Sequence, residues 1–307
     1  MNYHYLFLIG LTLSYVLSLA GSISALCNTL SETEREFVAV ERVKEFINLP
    51  HPLLEPTTDL EDPNVPESFL KSKGGTELTF RNVSVTYPNN TLPTLHKLNI
   101  EIQRGECVGI IGKNGTGKTT FFKTLLKLVP VDNVSDWNLA PCILIDDKDI
   151  QTIKGAQLRQ RISVIPQEPF IENITVLENI LQDRESPLIN FPTPEIQSLL
   201  HHLPPLDMKC GENGSELSHG QRQLLAFVRE LYRFQTQAYS NFTNLLILDE
   251  PTSSIDVETE KSMISIIRSV FYKEVTILVI SHKPEIIKQL CERCINLENM
   301  DCSSAFI

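Results

Sequence analysis

Basic side chains are scarce: 27 lysines and arginines face 38 aspartates and glutamates, so the 307-residue chain carries a formal net charge of −11. No basic footprint exists to hold a phosphate backbone, which counts against DNA or RNA as a partner. Cysteine is sparse too. The seven cysteines are odd in number and scattered over positions 27, 107, 142, 210, 291, 294 and 302, which suits reduced thiols rather than a disulfide-stapled secreted fold. The only close pair, Cys291-Glu-Arg-Cys294, lacks the second half of a zinc site and falls where a late strand is expected, so it reads as buried strand thiols. Internal repeats and low-complexity tracts are missing. What remains is 42% hydrophobic and 21% charged residues, which supplies one large core or two small ones and excludes a disordered chain.

Asp, Glu, Lys and Arg are absent from Met1 to Ser31, and Leu6 to Leu26 is apolar apart from small hydroxyl and glycine positions. As a helix these residues reach about 32 Å, the thickness of a bilayer's hydrocarbon layer, and so predict a transmembrane span. A signal peptide, the alternative, would want a positive start and a shorter apolar stretch. Gly10, Ser14, Ser18, Gly21 and Ser22 fall near helical spacing, a pattern that lets membrane helices approach closely. Beyond the span, Ser31 and Glu34 have capping-box spacing, and Phe37, Val40, Val43 and Ile47 mark one face, so the helix continues or restarts outside the bilayer. Arg35, Arg42 and Lys44 are the only basic residues near the span, which puts its C-terminal side in the cytosol.

Five prolines and the pair Gly74-Gly75 make residues 48–76 an extended linker. After it, strand-length apolar runs at 78–87, 107–111, 162–165, 245–248 and 275–280 alternate with helical patterns, one of them starting at Lys118. That order predicts an α/β layer fold around a mostly parallel sheet.

Gly112-Lys113-Asn114-Gly115-Thr116-Gly117-Lys118-Thr119 fits G-x-x-x-x-G-K-[ST] and lies between a buried strand and an amphipathic helix, the context a phosphate-binding P-loop requires. Its glycines allow backbone N–H groups to turn inward around a β-phosphate, and the helix N-terminus at Thr119 and Thr120 adds positive dipole. Lys118 reaches the β- and γ-phosphates and Thr119 can ligate Mg²⁺. Nucleotide chemistry also needs acid at a strand end facing that loop. Leu245-Leu246-Ile247-Leu248-Asp249-Glu250 supplies it, with Asp249 holding Mg²⁺ through water and Glu250 orienting or deprotonating the attacking water. An ordinary glycine turn and a solvated acidic turn would each explain one motif; neither explains both.

Between them lies Glu216-Leu217-Ser218-His219-Gly220-Gln221, and with this segment the chain resembles the ABC transporter ATPase domain. Leu217, Ser218, Gly220 and Gln221 match the family's L-S-x-G-Q signature, physically a second anion site opening a helix near Gln221. The resemblance implies a P-loop NTPase fold of the ABC type: a RecA-like core with a mostly parallel sheet, an antiparallel β portion and an α-helical subdomain. It also implies ATP and Mg²⁺ as ligands, and a second nucleotide-binding domain docked head to tail, so that Ser218, Gly220 and Gln221 meet the γ-phosphate held by the partner. The remaining motifs follow by the same resemblance. Gln167 matches the Q-loop that touches Mg²⁺ and the attacking water, and Tyr87 matches the aromatic that stacks on adenine. His282 matches the switch histidine on the γ-phosphate, and Asp256 matches the D-loop aspartate that reaches across the dimer.

Within the family the chain is similar to the C-terminal half of subfamily C, the multidrug-resistance-associated exporters, through Ser14 to Leu19, Glu34 to Phe46 and Ile143 to Gln167. The expected organisation is a transmembrane helix with a cytosolic helical extension over 1–47, the linker, and an ABC-type nucleotide-binding domain over 77–307 with its helical subdomain at about 168–235. The chain is expected to be the C-terminal fragment of a longer exporter that shares its bilayer and further transmembrane helices. Three features depart from the family: Asp146-Asp147 replaces a more usual Asp-Gly hairpin turn, residues 232–244 form a long connection, and the family's last helix is not found before Ile307. Seven N-x-S/T sequons occur, at Asn82, Asn89, Asn114, Asn133, Asn173, Asn213 and Asn241; a glycan on Asn114 would block the phosphate loop, which again favours the cytosol. A soluble ABC-type clamp and a truncated ATP-binding regulator are the competing functions.

Overall fold

The computed structural model describes residues 2–48, 74–88, 90–113, 115–132, 141–181, 193–236 and 244–298. Asn114, most of the expected linker, part of the long connection before Asn244 and the C-terminal end lie outside them. Helix α1 (Asn2–Ile47) and the residues from Gly74 onward form separate compact units.

Helix α1 runs unbroken for 46 residues, about 69 Å at helical rise. Of the two expectations, continuation or a restart at the Ser31–Glu34 capping box, the helix continues. No proline or glycine follows Gly21 within the helix, and nothing else interrupts the hydrogen-bond ladder. Hydroxyls in the apolar part bond back to helix carbonyls, Thr12 Oγ1 to Leu8 and Ile9 and Ser22 Oγ to Ser18, which satisfies them without water. Side chains from Phe7 to Asn48 are exposed throughout, and by length and composition the helix could cross a membrane.

The second unit contains two sheets. One is antiparallel in the order β2-β1-β4-β5, from β1 (Leu78–Val85), β2 (Leu95–Ile102), β4 (Cys142–Ile145) and β5 (Lys148–Asp149). The other is parallel in the order β6-β7-β8-β3-β9, from β3 (Cys107–Ile111), β6 (Ile162–Ile165), β7 (Leu245–Asp249), β8 (Thr276–Ile280) and β9 (Arg293–Asn296). The unit opens at the glycine pair: Thr76 is buried, and its N–H donates to Thr276 Oγ1 at 2.9 Å.

Alternation along the parallel strands builds two cores. Leu246, Leu248, Ile277 and Val279 point into one, packed by α6 (His219–Thr236) and α7 (Val257–Ile266). Leu245, Ile247, Leu278 and Ile280 point into the other, shared with the antiparallel sheet and α2 (Lys118–Leu125). Both faces are covered, so these strands read as continuous apolar runs. Phe121 of α2 stacks on Phe80 of β1, ring centroids 4.7 Å apart, and joins the two sheets.

The Asp146-Asp147 turn keeps the hairpin geometry without glycine, both residues taking left-handed φ of 48° and 63° between β4 and β5. Asp146 is held there by its carboxylate, which accepts from Arg104 and Arg161, both at 2.7 Å, and from the Glu77 N–H at 3.0 Å. Cys294 is buried in β9, as expected of a strand thiol. Cys291 precedes the strand, half-buried, with its Sγ 3.8 Å from that of Cys107.

Candidate functional site

Strands β6, β7, β8 and β3 are neighbours and parallel, so their carboxyl ends emerge along one edge of the sheet. Each end carries at least one of the residues singled out above. Gly112 follows β3, Asp249 and Glu250 end β7, His282 follows β8, and Gln167 lies two residues beyond β6. The edge opens into a cleft of about 400 Å³ lined by Tyr87, Gly115, Gly117, Lys118, Thr119, Thr120, Gln167, Asp249, Glu250 and His282. Asn90, Thr94 and Ile280 also line it, and the sequence did not mark them.

The loop between β3 and α2 is shaped by its glycines and its lysine. Gly117 precedes α2 at φ +95°, and a Cβ there would come within 2.8 Å of Leu95 Cδ2 and 3.0 Å of the Thr94 carbonyl, so only glycine fits. Lys118 Nζ folds back to donate to the carbonyls of Gly112 and Lys113, the latter at 2.9 Å. The Lys113 N–H is taken by Glu298 Oε1 at 2.6 Å, a carboxylate from beyond β9 that braces the loop. Thr116 Oγ1 donates to the Lys113 carbonyl at 2.9 Å, and Tyr87 Oη lies 3.3 Å from Thr120 Oγ1 at the cleft wall. Asn114 is outside the described residues.

The acidic side of the cleft is electrostatically tight. Burial pushes the Asp249 carboxyl above its ordinary value and the Glu250 charge adds to this, while Lys118 and His282 pull it back. Glu250 adopts a left-handed φ of 52°, uncommon for a side chain of its size. Its N–H donates to the Ile280 carbonyl at 3.0 Å, and its Oε1 lies 2.9 Å from His282 Nε2.

Ser218, Gly220 and Gln221 do not line this cleft. Helix α6 begins at His219, two residues earlier than expected, and is closed by a reciprocal capping box. Ser218 Oγ accepts from the Gln221 N–H at 3.2 Å, and Gln221 Oε1 accepts from the Ser218 N–H at 2.9 Å. The serine hydroxyl proton remains free to donate. Asp256 is likewise outside the cleft: it is the N-cap of α7, its two carboxylate oxygens accepting from the Thr259 N–H and Oγ1, both at 2.9 Å.

The ABC transporter family model matches residues 95–253, more than half of the chain. The protein belongs to the ABC transporter family. Among curated relatives of this ABC protein, bile pigment transporter 1 of Saccharomyces cerevisiae is 33% identical over 300 residues, covering 90% of the chain and 18% of the relative. ATP-binding cassette sub-family C member 10 of Mus musculus is 32% identical over 282 residues, covering 90% of the chain and 17% of the relative. The likeness to subfamily C thus includes most of the chain, which spans under a fifth of these relatives' length. Among solved structures, a bacterial Atm1-family ABC exporter with ATP bound superposes with a TM-score of 0.65 at 24% identity, covering 86% of this chain and 43% of that one. That likeness establishes the fold: an ABC-type ATPase of the P-loop class.

Proposed function

We propose that this chain is the last transmembrane helix and second nucleotide-binding domain of a subfamily C exporter, binding ATP with Mg²⁺ and hydrolysing it to power transport. The single observation that carries this reading is the gathering of Lys118, Thr119, Gln167, Asp249, Glu250 and His282, from four strand ends, in one cleft. Tyr87 would stack on the adenine. The N–H groups from Gly112 to Thr120, Asn114 among them, would cradle the phosphates, with Lys118 exchanging its loop carbonyls for the β- and γ-phosphate oxygens.

The acidic side fits a divalent cation. Two adjacent carboxylates, one of them pushed up by burial, face a single lysine, so the site is short of positive charge. Thr119, Gln167 and Asp249, the last through water, would hold Mg²⁺, which when bound neutralises charge on the β- and γ-phosphate oxygens. Glu250 accepts the proton of the attacking water, and His282 orients the Glu250 carboxylate and contacts the γ-phosphate.

Ser218, Gly220 and Gln221 are positioned for the γ-phosphate of a second nucleotide-binding domain, which would dock head to tail with Asp256 reaching across from beside its cap. The exposed side chains of α1 fit a lipid bilayer and neighbouring transmembrane helices, with the ATPase domain in the cytosol. Closure on two ATP molecules and reopening after hydrolysis would switch the membrane part between its inward and outward states.

The test compares ATP turnover by membranes carrying the chain with that of Glu250→Gln. The expected loss is about 10²-fold or more, as for removal of a general base. Equal turnover would remove Glu250 from this role.

A further inference from the structure

Gln223, in the second turn of α6, is fully buried, yet it makes no use of its own helix. Its Nε2 donates to the Gln167 carbonyl at 3.2 Å, the Glu250 carbonyl at 3.1 Å and Ser253 Oγ at 2.9 Å. Its Oε1 accepts from the Ser254 N–H at 3.3 Å. The two N–H protons are shared among three acceptors, so one amide ties the Gln167 segment and the Glu250–Ser254 turn to its own helix. A buried polar side chain with its capacity filled this way fixes those segments relative to one another.

We infer that Gln223 is a positioning residue for ATP hydrolysis, holding the backbones of Gln167, Glu250 and the Ser253-Ser254 turn in register with the signature helix. The inference rests on the ATPase reading above and adds to it a link between the signature end and the general base. Glu250 shows why the link is needed. Its left-handed backbone persists only where surrounding contacts over-determine it. The Ile280 carbonyl holds its N–H from β8, while Gln223 and the Ser253 N–H hold its C=O from the other side. The same helix face is keyed to the turn one step earlier. A Cβ on Gly220 would come within 2.4 Å of the Ser254 carbonyl, so the turn packs directly on the helix backbone. A shift at Ser218, where a partner's phosphate would dock, is thereby carried through one helical turn to the Glu250 peptide.

Two substitutions in the full chain, held in detergent micelles, test this. Gln223→Met keeps the volume and removes all four hydrogen bonds. Gln223→Glu keeps the shape but faces two carbonyls with a carboxylate, and regains a donor only when protonated. For Gln223→Met, kcat is expected to fall about 10²-fold, as for a small misplacement of catalytic groups, with unchanged affinity for a fluorescent ATP analogue. Gln223→Glu is expected to be equally slow near about pH 8 and to recover relative to wild type toward about pH 6, where burial favours the neutral acid. Without nucleotide, amide hydrogen exchange is expected to quicken at Glu250, Ser253 and Ser254 in both variants, with β7 and β8 unchanged.

Turnover of Gln223→Met within about twofold of wild type overturns the inference, as does an equal loss of affinity and turnover, which would mark a merely structural residue. A wild-type chain that neither binds nor hydrolyses ATP overturns the ATPase reading instead. The exchange measurement needs no nucleotide, so unchanged exchange at those three amides overturns the link by itself.

Discussion

His282 Nε2 lies 2.9 Å from Glu250 Oε1, so the residues at the ends of two adjacent parallel strands share one contact at the mouth of the cleft. The histidine side chain is half exposed and the glutamate nearly covered. Replacing His282 with alanine frees the Glu250 carboxylate to rotate. Turnover is expected to fall by about 10²-fold, more than nucleotide affinity, measured as the split between kcat and nucleotide binding.

Asp249 carries a stability cost with a definite sign. An acid whose folded pKa lies above its unfolded value favours folding at low pH, and that stability is lost as pH rises through the folded pKa. Asp249→Asn should therefore raise the melting temperature at neutral pH, with the gain shrinking as pH falls toward the ordinary carboxyl range. In the same variant Mg²⁺ and ATP should no longer shift the melting temperature, as they should in wild type. The two effects have opposite signs, and differential scanning fluorimetry with and without nucleotide separates them.

Asp146 behaves the other way. Burial pushes its carboxyl up, but the Glu77 N–H and the Arg161 guanidinium outweigh burial and leave it below its ordinary value. Its contribution is present above the unfolded pKa and is lost as pH falls through the folded one. Asp146→Ala would remove the carboxylate that pairs with the buried Arg161 side chain and is expected to lower stability in urea unfolding at neutral pH. The difference from wild type should narrow under acid.

Gly220 tests the packing of the signature helix on the turn after Glu250. A Cβ there meets the Ser254 carbonyl, a backbone atom that cannot swing aside. Gly220→Ala is expected to destabilise the domain by about 1–3 kcal/mol in urea unfolding and to slow hydrolysis as well. A neutral result on stability would show that the turn yields freely.

Strands β3, β7 and β8 were legible because burial on both faces leaves an unbroken apolar run. Strand β2 was not: Lys97 adopts a left-handed φ of 47°, which shifts the inward-facing positions from Leu95 to Leu98 and hides the alternation. Asn82 shifts the inward residues of β1 in the same way, from Leu78 and Phe80 to Val83 and Val85, yet the apolar run at 78–87 still marked that strand. The hairpin at Asp146 departs from the usual sequence because its partners, Glu77, Arg104 and Arg161, are far away in the chain. At the site, the phosphate loop and the acidic strand end were legible because each is contiguous and has a required residue order. Gln223 was not, since its partners come from two distant segments; its one sequence signal is a glutamine on the apolar face of α6, beside Leu224 and Phe227. The capping roles of Ser218 and Asp256 are local, and motif matching directed both toward a partner instead.

The most direct measurement is retention of labelled ATP by the full chain in the presence of Mg²⁺, with Lys118→Ala alongside. The account predicts that the wild-type chain retains nucleotide and that the variant loses it, since each charge-assisted bond from Lys118 contributes about 1.5–3 kcal/mol. Equal retention by both, or none by the wild type, would contradict it.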